Sequence, residues 1–247
     1  MEQIKKNEYY KLDITGMTHE GQGVGRVGGL AVFVDGALEG EQAEVRIIKL
    51  SKSYGVGKLI KILKSSPNRV EPFCGAYRRC GGCNLQHMDY TAQLHFKTKL
   101  VKDNLERIGG LKEIAVHDTI GMSHPRNYRN KAQYPAAAVN GSVVTGFYAA
   151  RSHDVIEPEE CGIQDPASEK VLGIVSRFIR EKGIPAYDET TEKGLVRHIV
   201  TRVGFHTGEI MAVLVINGET LPESGELVRR LVDGTGKLIK SIYLNTN

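Results

Sequence analysis

The chain has 247 residues, of which 40% are hydrophobic and 6% aromatic, and it contains no tryptophan. That composition is typical of a globular chain that buries one large core or two smaller ones. No apolar run approaches the roughly 18 residues of a membrane-spanning helix, and the charged N-terminus lacks the apolar stretch of a secretory signal. A net charge of +4 is too small by itself to indicate a polyanionic partner. We therefore expect a soluble, cytoplasmic protein with no membrane partner.

Residues 8–64 predict short strands separated by glycine-rich turns. Apolar residues alternate or run together in four segments: Tyr10–Ile14, Leu30–Val34, Ala43–Ile47 and Tyr54–Leu63. Several short strands without a helical stretch favour a small antiparallel barrel of the OB-like kind. The segment Gly23–Gly28 matches the GxGxxG dinucleotide motif, but a strand pattern follows it instead of a helix, so we interpret it as a glycine-rich hairpin.

After a linker at Ser65–Asn68, the pattern becomes mixed α and β. Three helices are predicted: Tyr90–Ile108 after the cap Asp89, Pro166–Lys182 between the cap Asp165 and the terminator Gly183, and Pro222–Asp233. A hairpin is predicted over Val196–Phe205 and Ile210–Ile216, and a further strand over Leu238–Leu244. The predicted fold class is therefore mixed: an all-β OB-like barrel over residues 1–66, followed by an α+β domain over residues 67–247.

Four cysteines form the sharpest chemical pattern: Cys74, Cys80 and Cys83 are closely spaced, and Cys161 lies far downstream. The Gly81-Gly82 pair predicts a tight turn that can direct two thiolates at one metal. Three clustered cysteines with a remote fourth favour an iron–sulfur site, which usually takes four thiolates. A zinc site with His87 as an added ligand is the alternative, less favoured because only one CxxC motif is present. Disulfides or unligated thiols are the remaining alternatives.

Basic residues are concentrated in two tracts that contain no acidic residue. The first, residues 45–64, includes Arg46, Lys49 and Lys58, with Tyr54 between the lysines; the second, residues 119–153, includes Arg126, Arg129, Lys131 and Tyr148. Lysine and arginine neutralise phosphates, and aromatic rings stack on unpaired bases. A solvated basic face is the alternative for either tract alone. Two tracts together, one of them in an OB-like barrel, favour RNA binding.

Several motifs, in order along the chain, resemble those of the TRAM-domain RNA uracil-5-methyltransferases, especially the bacterial 23S rRNA enzymes. The matching segments are Glu71–Gly75, Cys80–His87, Tyr128–Lys131, Gly146–Tyr148, Ser152–His153 and Cys161–Gln164. Residues 8–64, with their glycine-rich first turn, resemble the TRAM barrel. The resemblance therefore covers essentially the whole chain.

The resemblance implies a [4Fe-4S] cluster held by Cys74, Cys80, Cys83 and Cys161, which would make residues 67–247 an iron–sulfur domain. It implies structured RNA as the partner, 23S rRNA in particular, bound by a monomer, and it adds Asn130 to the RNA contacts. Enzymes of this family add a cysteine thiolate to C6 of uracil, so that C5 can accept the methyl group of S-adenosylmethionine. A base buried in an RNA fold must also be extruded to be reached.

In the family, the S-adenosylmethionine fold, the nucleophilic cysteine and the base glutamate lie C-terminal to these motifs. All four cysteines of this chain belong to the cluster pattern, so we expect no catalytic and no S-adenosylmethionine-binding residue in it. The expected function is RNA recognition within an RNA (uracil-C5) methyltransferase, with the chain ending before the methyl-transfer domain. We expect the helix over residues 90–110 to pack on that domain. A stand-alone TRAM-type RNA-binding protein with an iron–sulfur or zinc site and no catalysis is the alternative.

Overall fold

The computed structural model describes residues 4–247. The strands are β1 (Tyr9–Asp13), β2 (Gly16–Met17), β3 (Gly23–Val27), β4 (Leu30–Val34), β5 (Gln42–Leu50), β6 (Tyr54–Lys64), β7 (Lys131–Val139), β8 (Ser142–Thr145), β9 (Phe147–Tyr148), β10 (Val155–Ile156), β11 (Val196–Val203), β12 (Ile210–Ile216) and β13 (Ile239–Thr246). The helices are α1 (Tyr90–Arg107), α2 (Pro166–Glu181) and α3 (Ser224–Gly234). Among the residues described, no helix has both the length and the apolar character to cross a membrane.

The chain folds as two compact units. Unit 1 extends to Pro72 and resumes over Cys83–Gly121, whereas unit 2 comprises Phe73–Gly82 and Met122–Asn247. This division differs from the predicted domains, 1–66 and 67–247, because the segment that leads into α1 contacts the N-terminal region. The Asn84 side chain donates to the Glu20 carbonyl oxygen at 3.2 Å, and an added Cβ at Gly21 would come within 2.6 Å of Leu85. The mixed α and β fold class, with a β-rich N-terminal region, is confirmed.

Unit 1 is built around a six-stranded sheet with the strand order β1-β5-β6-β4-β3-β2. Side chains alternate between the core and the outside along these strands, so that Ala43, Val45 and Ile47 of β5 are buried while the residues between them are less so. One part of the prediction is wrong: β4 pairs with β6 in parallel, so the sheet is not wholly antiparallel. The reason is that β6 turns back along β5 and lies between β5 and β4, where it runs in the direction of β4.

The GxGxxG segment forms a hairpin, as predicted. β3 and β4 pair antiparallel from Gly23 and Val34 at one end to Val27 and Leu30 at the other. The turn between them uses Gly28 and Gly29, whose φ angles of 55° and 88° lie in the region that glycine adopts without steric cost. Since a strand follows this turn, it offers no helix N-terminus to a dinucleotide.

A buried ion pair joins the N-terminal sheet of unit 1 to the linker that follows it. The Glu41 carboxylate is fully buried and accepts hydrogen bonds from Arg69 Nε at 2.5 Å and Arg69 Nη2 at 2.7 Å. It also accepts from the backbone N–H groups of Leu38 at 2.8 Å and Ser66 at 3.3 Å. Burial opposes ionisation, but these donors outweigh it and hold the pKa of Glu41 below its usual value.

The linker pairs with the residues that lead into α1. Val70 N–H donates to the His87 carbonyl oxygen at 3.0 Å, and Asp89 N–H donates to the Asn68 carbonyl oxygen at 2.9 Å. The two ends of the intervening segment, residues 71–86, are therefore held close together within unit 1.

Helix α1 begins as the sequence predicts, because the Asp89 side chain accepts a backbone N–H of the first turn at 3.1 Å. None of its residues is buried in the described structure. Val101 is 51% exposed, and Ile108, just beyond the last turn, is 83% exposed. The apolar face of this helix is thus only partly covered within the chain.

Unit 2 contains a five-stranded sheet with the order β13-β12-β11-β7-β8, antiparallel except for the parallel pair of β12 and β13. Helices α2 and α3 pack on one face of the sheet, where Phe178, Ile199 and Leu214 belong to one buried core. Asp165 caps α2, and Pro166 is its first residue, as predicted. The β11–β12 hairpin and the strand β13 also confirm predictions.

The hairpin of β7 and β8 lies outside the sequence predictions. It turns at Asn140-Gly141, whose φ angles of 51° and 80° are those that an Asn-Gly turn supplies. The strand β7 contains Ala136, Ala137 and Ala138, and alanine is depleted in strands, which weakens its pattern. The Asn-Gly pair is the signal that could have revealed this hairpin.

Replacement of Arg69 by methionine should destabilise unit 1 by about 3–5 kcal/mol, because Glu41 then remains buried without its cation. Urea unfolding combined with hydrogen exchange of the β5 amides measures the change. Lys99→Ala is the matched control, since it removes an exposed ion pair with Asp103 in the same unit and should cost less than about 1 kcal/mol. Equal destabilisation by the two variants would contradict a structural role for the buried pair.

Candidate RNA interface and cysteine site

Two cations of the first basic tract lie directly opposite each other on the outer face of unit 1. Arg46 of β5 pairs with Lys58 of β6, and Lys49 of β5 lies opposite Val56 on the same two strands. Lys58 is exposed, while Arg46 is half-buried and its Nε has no hydrogen-bond partner among the described residues. Like charges opposed on adjacent strands are unfavourable by themselves. An anion bound between them removes the repulsion, so the arrangement suits a phosphate.

An aromatic pair occupies the neighbouring outward positions. Phe33 of β4 and Tyr54 of β6 have ring centroids 5.7 Å apart and ring planes at 52°. Tyr54 starts the outward row of β6 that leads to Lys58. Sequence reasoning missed Phe33, because it lies in the apolar run Leu30–Val34, where a core position is the ordinary interpretation. Rings at such positions can stack on bases.

Three exposed residues of the second tract lead into β7: Arg129, Asn130 and Lys131. Arg129 N–H donates to the Ile163 carbonyl oxygen at 2.9 Å, and the Asn130 carbonyl accepts an N–H from the end of β11 at 2.8 Å. Lys131 lies opposite Arg202 of β11, which forms a second pair of opposed cations. Arg202 was missed in the sequence because it lies outside the acid-free tracts and because β11, Val-Arg-His-Ile-Val-Thr-Arg-Val, does not alternate strictly between polar and apolar residues.

The two remaining predicted RNA contacts of unit 2 are engaged within the protein. The Arg126 guanidinium lies 4.4 Å from the centroid of the Phe73 ring, a cation–π contact. The Tyr148 ring packs on His153 at 5.2 Å, and His153 Nδ1 lies 2.8 Å from Glu189 Oε2. Burial and the Glu189 carboxylate raise the pKa of Tyr148. A carboxylate beside Tyr148 disfavours a phosphate there.

Unit 2 brings the surroundings of Cys74 and Cys161 together. The Cys74 Sγ lies 4.0 Å from the carbonyl oxygen of Glu160, a residue 86 positions downstream. Phe73 packs on Gly162, where an added Cβ would come within 2.6 Å of the ring. The residues beside both thiols are therefore fixed against each other, as shared ligation would require.

Cys80 lies at the end of a turn whose backbone is held by Ala76 and by the β9 end. Its N–H donates to the Ala76 carbonyl oxygen at 2.8 Å, and the next residue, Gly81, donates to the Tyr148 carbonyl oxygen at 3.0 Å. Gly82 N–H donates to Cys80 Sγ at 3.4 Å. The turn therefore holds the Cys80 sulfur beside the backbone N–H of Gly82.

The first turn of α2 positions Cys161 at the wall of a cavity of about 160 Å³. Cys161 N–H donates to Glu169 Oε1 at 2.5 Å, and burial raises the pKa of that carboxyl group. The Tyr134 ring lines the same cavity and is fully buried, and its hydroxyl has no hydrogen-bond partner among the described residues. Burial and the Glu169 charge raise the pKa of Tyr134 above its usual value.

The four cysteines are half-buried thiols, and none of them is in a disulfide. Cys74, Cys80 and Cys161 belong to unit 2, while Cys83 begins the second part of unit 1. Within residues 4–247, no three histidine, cysteine, aspartate or glutamate side chains are grouped so that they could hold a metal ion. The chemistry of the donor set fits four-thiolate ligation, but the described side chains are not assembled into it.

His87, the added ligand of the zinc alternative, is buried in unit 1. Burial and the Arg69 charge lower the pKa of His87 to about 4, with Glu41 opposing them in part. The imidazole is therefore neutral at pH 7 and belongs to the surroundings of the Glu41–Arg69 pair.

Comparisons with known proteins agree with this architecture. Residues 3–60 match the family model of the TRAM domain. The chain is 48% identical, over 100% of its length, to a protein of Caldanaerobacter subterraneus subsp. tengcongensis named as an uncharacterized RNA methyltransferase, of which it covers 54%. It is 46% identical to a protein of the same description from Clostridium tetani, over 99% of this chain and 53% of that protein. The resemblance to the TRAM-domain RNA methyltransferases is confirmed.

A solved structure extends the similarity to the fold. The crystal structure of the Pyrococcus abyssi tRNA (uracil-54, C5)-methyltransferase in complex with S-adenosyl-L-homocysteine matches with a TM-score of 0.64 and 25% identity. The match covers 88% of this chain and 48% of that chain. The chain thus spans about half the length of the curated relatives and of the solved structure that it matches.

Unit 1 should lose stability as the pH falls from 6.5 to about 4, because in this window the unfolded chain protonates His87 and the folded chain does not. The decrease should reach about 3 kcal/mol, and urea midpoints measured across the window should show it. His87→Gln should flatten this part of the profile. Below pH 4.5 the lowered pKa of Glu41 should cause a further decrease in both proteins. A wild-type midpoint that is constant down to pH 4.5 would contradict the neutral, buried state of His87.

Proposed function

We propose that this chain recognises RNA as part of an S-adenosylmethionine-dependent RNA (uracil-C5) methyltransferase that acts on 23S rRNA. The observation that carries the proposal is the opposed pair of Arg46 and Lys58, next to the Phe33 and Tyr54 rings, on the outer face of the TRAM region. A phosphate bound between two opposed cations relieves their repulsion, which adds to the binding free energy. The rings add contacts to bases. Unit 2 has a second pair of opposed cations, Lys131 and Arg202.

The reaction and the substrate class rest on the relatives. The solved neighbour is a uracil C5-methyltransferase of tRNA with a bound product of S-adenosylmethionine, and both curated relatives carry the name RNA methyltransferase. The choice of 23S rRNA rests on the resemblance of the cysteine motif and its flanks to the bacterial 23S rRNA enzymes. We assign methyl transfer and S-adenosylmethionine binding to the half of those proteins that this chain does not cover.

The partly covered face of α1 fits this assignment. Val101 is exposed, and Leu94, Leu100 and Leu105 are only half-buried in the described structure. We propose that in a protein of the relatives' length this face packs against the remaining half. The helix would then gain the apolar burial that an 18-residue helix needs to be stable.

We also propose that Cys74, Cys80, Cys83 and Cys161 hold a [4Fe-4S] cluster. The contacts between the segments of Cys74 and Cys161, and the N–H donor on Cys80 Sγ, support this ligand set. When bound, the cluster supplies iron–thiolate bonds that cross-link distant segments. Phe73, Gly162 and Glu169 hold the ligand-bearing backbone in place, so the role of the site is structural.

Lys58→Glu should weaken binding of a 23S rRNA fragment about tenfold or more. It should also reduce the slope of log K against log salt by about 0.7–0.9 for each phosphate that the variant no longer neutralises. Fluorescence anisotropy over a salt series measures both, and we expect one protein monomer per fragment. Lys97→Glu on α1 is the matched control, with the same charge change on an exposed residue of unit 1. Equal effects of the two variants would remove β6 from the interface.

Two results would change the assignment of function. Tight binding of S-adenosylmethionine, or methyl transfer to rRNA by this chain alone, would contradict the placement of catalysis in the other half. RNA binding without methyl transfer by a protein of the relatives' full length would favour a stand-alone RNA-binding function.

Anaerobic purification should give a brown protein with broad visible absorbance and about four iron and four sulfide per chain. Cys161→Ser should lose the colour and lower the thermal stability of the protein, because metal ligation is linked to folding. His87→Gln is the control that should retain iron. Zinc in place of iron, lost in His87→Gln, would favour the zinc alternative. Equal melting temperatures with and without metal would contradict a structural role.

A further inference from the structure

The five-stranded sheet of unit 2 is covered by helices on one face only. Helices α2 and α3 pack on the face that carries Ile199 and Leu214, and no described helix of the unit packs on the opposite face. The residues of that second face, which we call the open face, are aligned across β7, β11, β12 and β13. They form three rows: Lys131–Arg202–Met211–Ser241, Gln133–Val200–Val213–Tyr243 and Pro135–His198–Val215–Asn245.

The charge of the open face is positive. Lys131 and Arg202 lie side by side at one edge, both exposed, and the rows contain no acidic residue. His198 is neutral at pH 7, since burial and the Arg197 charge lower its pKa. Glu189 acts on His198 from the loop before β11. At the other edge, exposed Glu209 lies two residues before Met211, so two cations there face one nearby carboxylate.

The middle of the open face is apolar, and aromatic rings lie at its borders. Val200 and Val213 are half-buried neighbours, and Tyr243, beside Val213, is 53% exposed. Phe205, three residues after Arg202 in the turn that joins β11 to β12, is 77% exposed, with His206 edge-on against it at 5.2 Å. An exposed phenylalanine is costly in water unless a partner covers it.

We propose that the open face binds an unpaired RNA segment, with phosphates at Lys131 and Arg202 and bases against Tyr243, Phe205 and the valine floor. The inference rests on the proposed function and assigns to it a second RNA surface. A sheet face with exposed rings is suited to splayed bases, whereas a duplex offers no free base faces to it. Docking of an apolar protein surface would bury two adjacent cations with no acid among the rows to pair them, which is costly.

The test uses fluorescein-labelled oligouridine of about 12 nucleotides, close to the span of one binding surface, and a blunt duplex of the same length. Arg202→Glu should weaken single-strand binding about tenfold or more and reduce its salt slope. Tyr243→Ala and Phe205→Ala should each weaken binding about tenfold with the salt slope unchanged, because they remove stacking and not charge. The wild-type chain should prefer the single strand over the duplex.

Arg177→Glu is the matched control, since Arg177 is an exposed cation of the same unit on α2, behind the helical face of the sheet. It should bind oligouridine as the wild type does. Photo-cross-linking with 4-thiouridine should label peptides of β11–β13. If Arg177→Glu and Arg202→Glu lose affinity equally, the effect is general electrostatics and the assignment of the open face is wrong.

The outcomes separate this inference from the proposed function. If Lys58→Glu binds RNA more weakly than the wild type, while Arg202→Glu and Tyr243→Ala bind it as well as the wild type, the TRAM surface binds RNA and the open face does not. If the wild type binds neither oligouridine nor rRNA, both proposals fail. If Tyr243→Ala changes the association state of the protein and leaves RNA affinity intact, the open face is a protein interface, which overturns the inference.

Discussion

The buried pair of Glu41 and Arg69 is the constraint on which unit 1 depends. The Glu41 carboxylate accepts hydrogen bonds from the Leu38 N–H before β5, from the Ser66 N–H after β6 and from the Arg69 guanidinium. One carboxylate therefore holds three segments together. The backbone carbonyl of the same residue accepts from Ile14 after β1 at 2.8 Å. A fully buried carboxylate tolerates no loss of these donors, because its desolvation would be uncompensated.

That constraint also determines how the cysteine segment begins and ends. Since Val70 pairs with His87 directly beyond Arg69, the two ends of residues 71–86 are held at adjacent points of unit 1. Residues 71–86 therefore form a loop whose ends are held together, and the three clustered cysteines lie in this loop. Closing the loop in the protein removes part of the entropy cost that ligation by the clustered cysteines would otherwise bear. The buried ion pair thus lies beside the ends of the loop that carries Cys74, Cys80 and Cys83.

Local sequence signals predicted the helices and strands well, whereas the pairings between residues distant in sequence were not predicted. The caps Asp89 and Asp165 indicated the starts of α1 and α2. The alternation in β5 and the apolar residues of β12 indicated their strands, because each of these signals depends on neighbours in sequence. Three interactions join residues that are distant along the chain: the parallel pairing of β4 with β6, the ion pair of Glu41 with Arg69, and the pairing of Lys131 with Arg202. Arg46, Lys58 and Lys131 were predicted only as members of basic tracts, and Arg202 was not predicted. The alignment of these cations on adjacent strands follows from strand register, which composition does not contain.

The energetic scale of the opposed cations explains how the fold tolerates them. Two unit charges about 5 Å apart repel each other by about 1 kcal/mol in water, a small part of a stability of about 5–15 kcal/mol. Salt weakens this cost further, and a phosphate between the two cations converts it into attraction. Strand pairing holds Arg46 against Lys58 and Lys131 against Arg202 before any ligand arrives. Since the cations need not be brought together on binding, the free protein already bears this cost, and an anion bound between them would offset it.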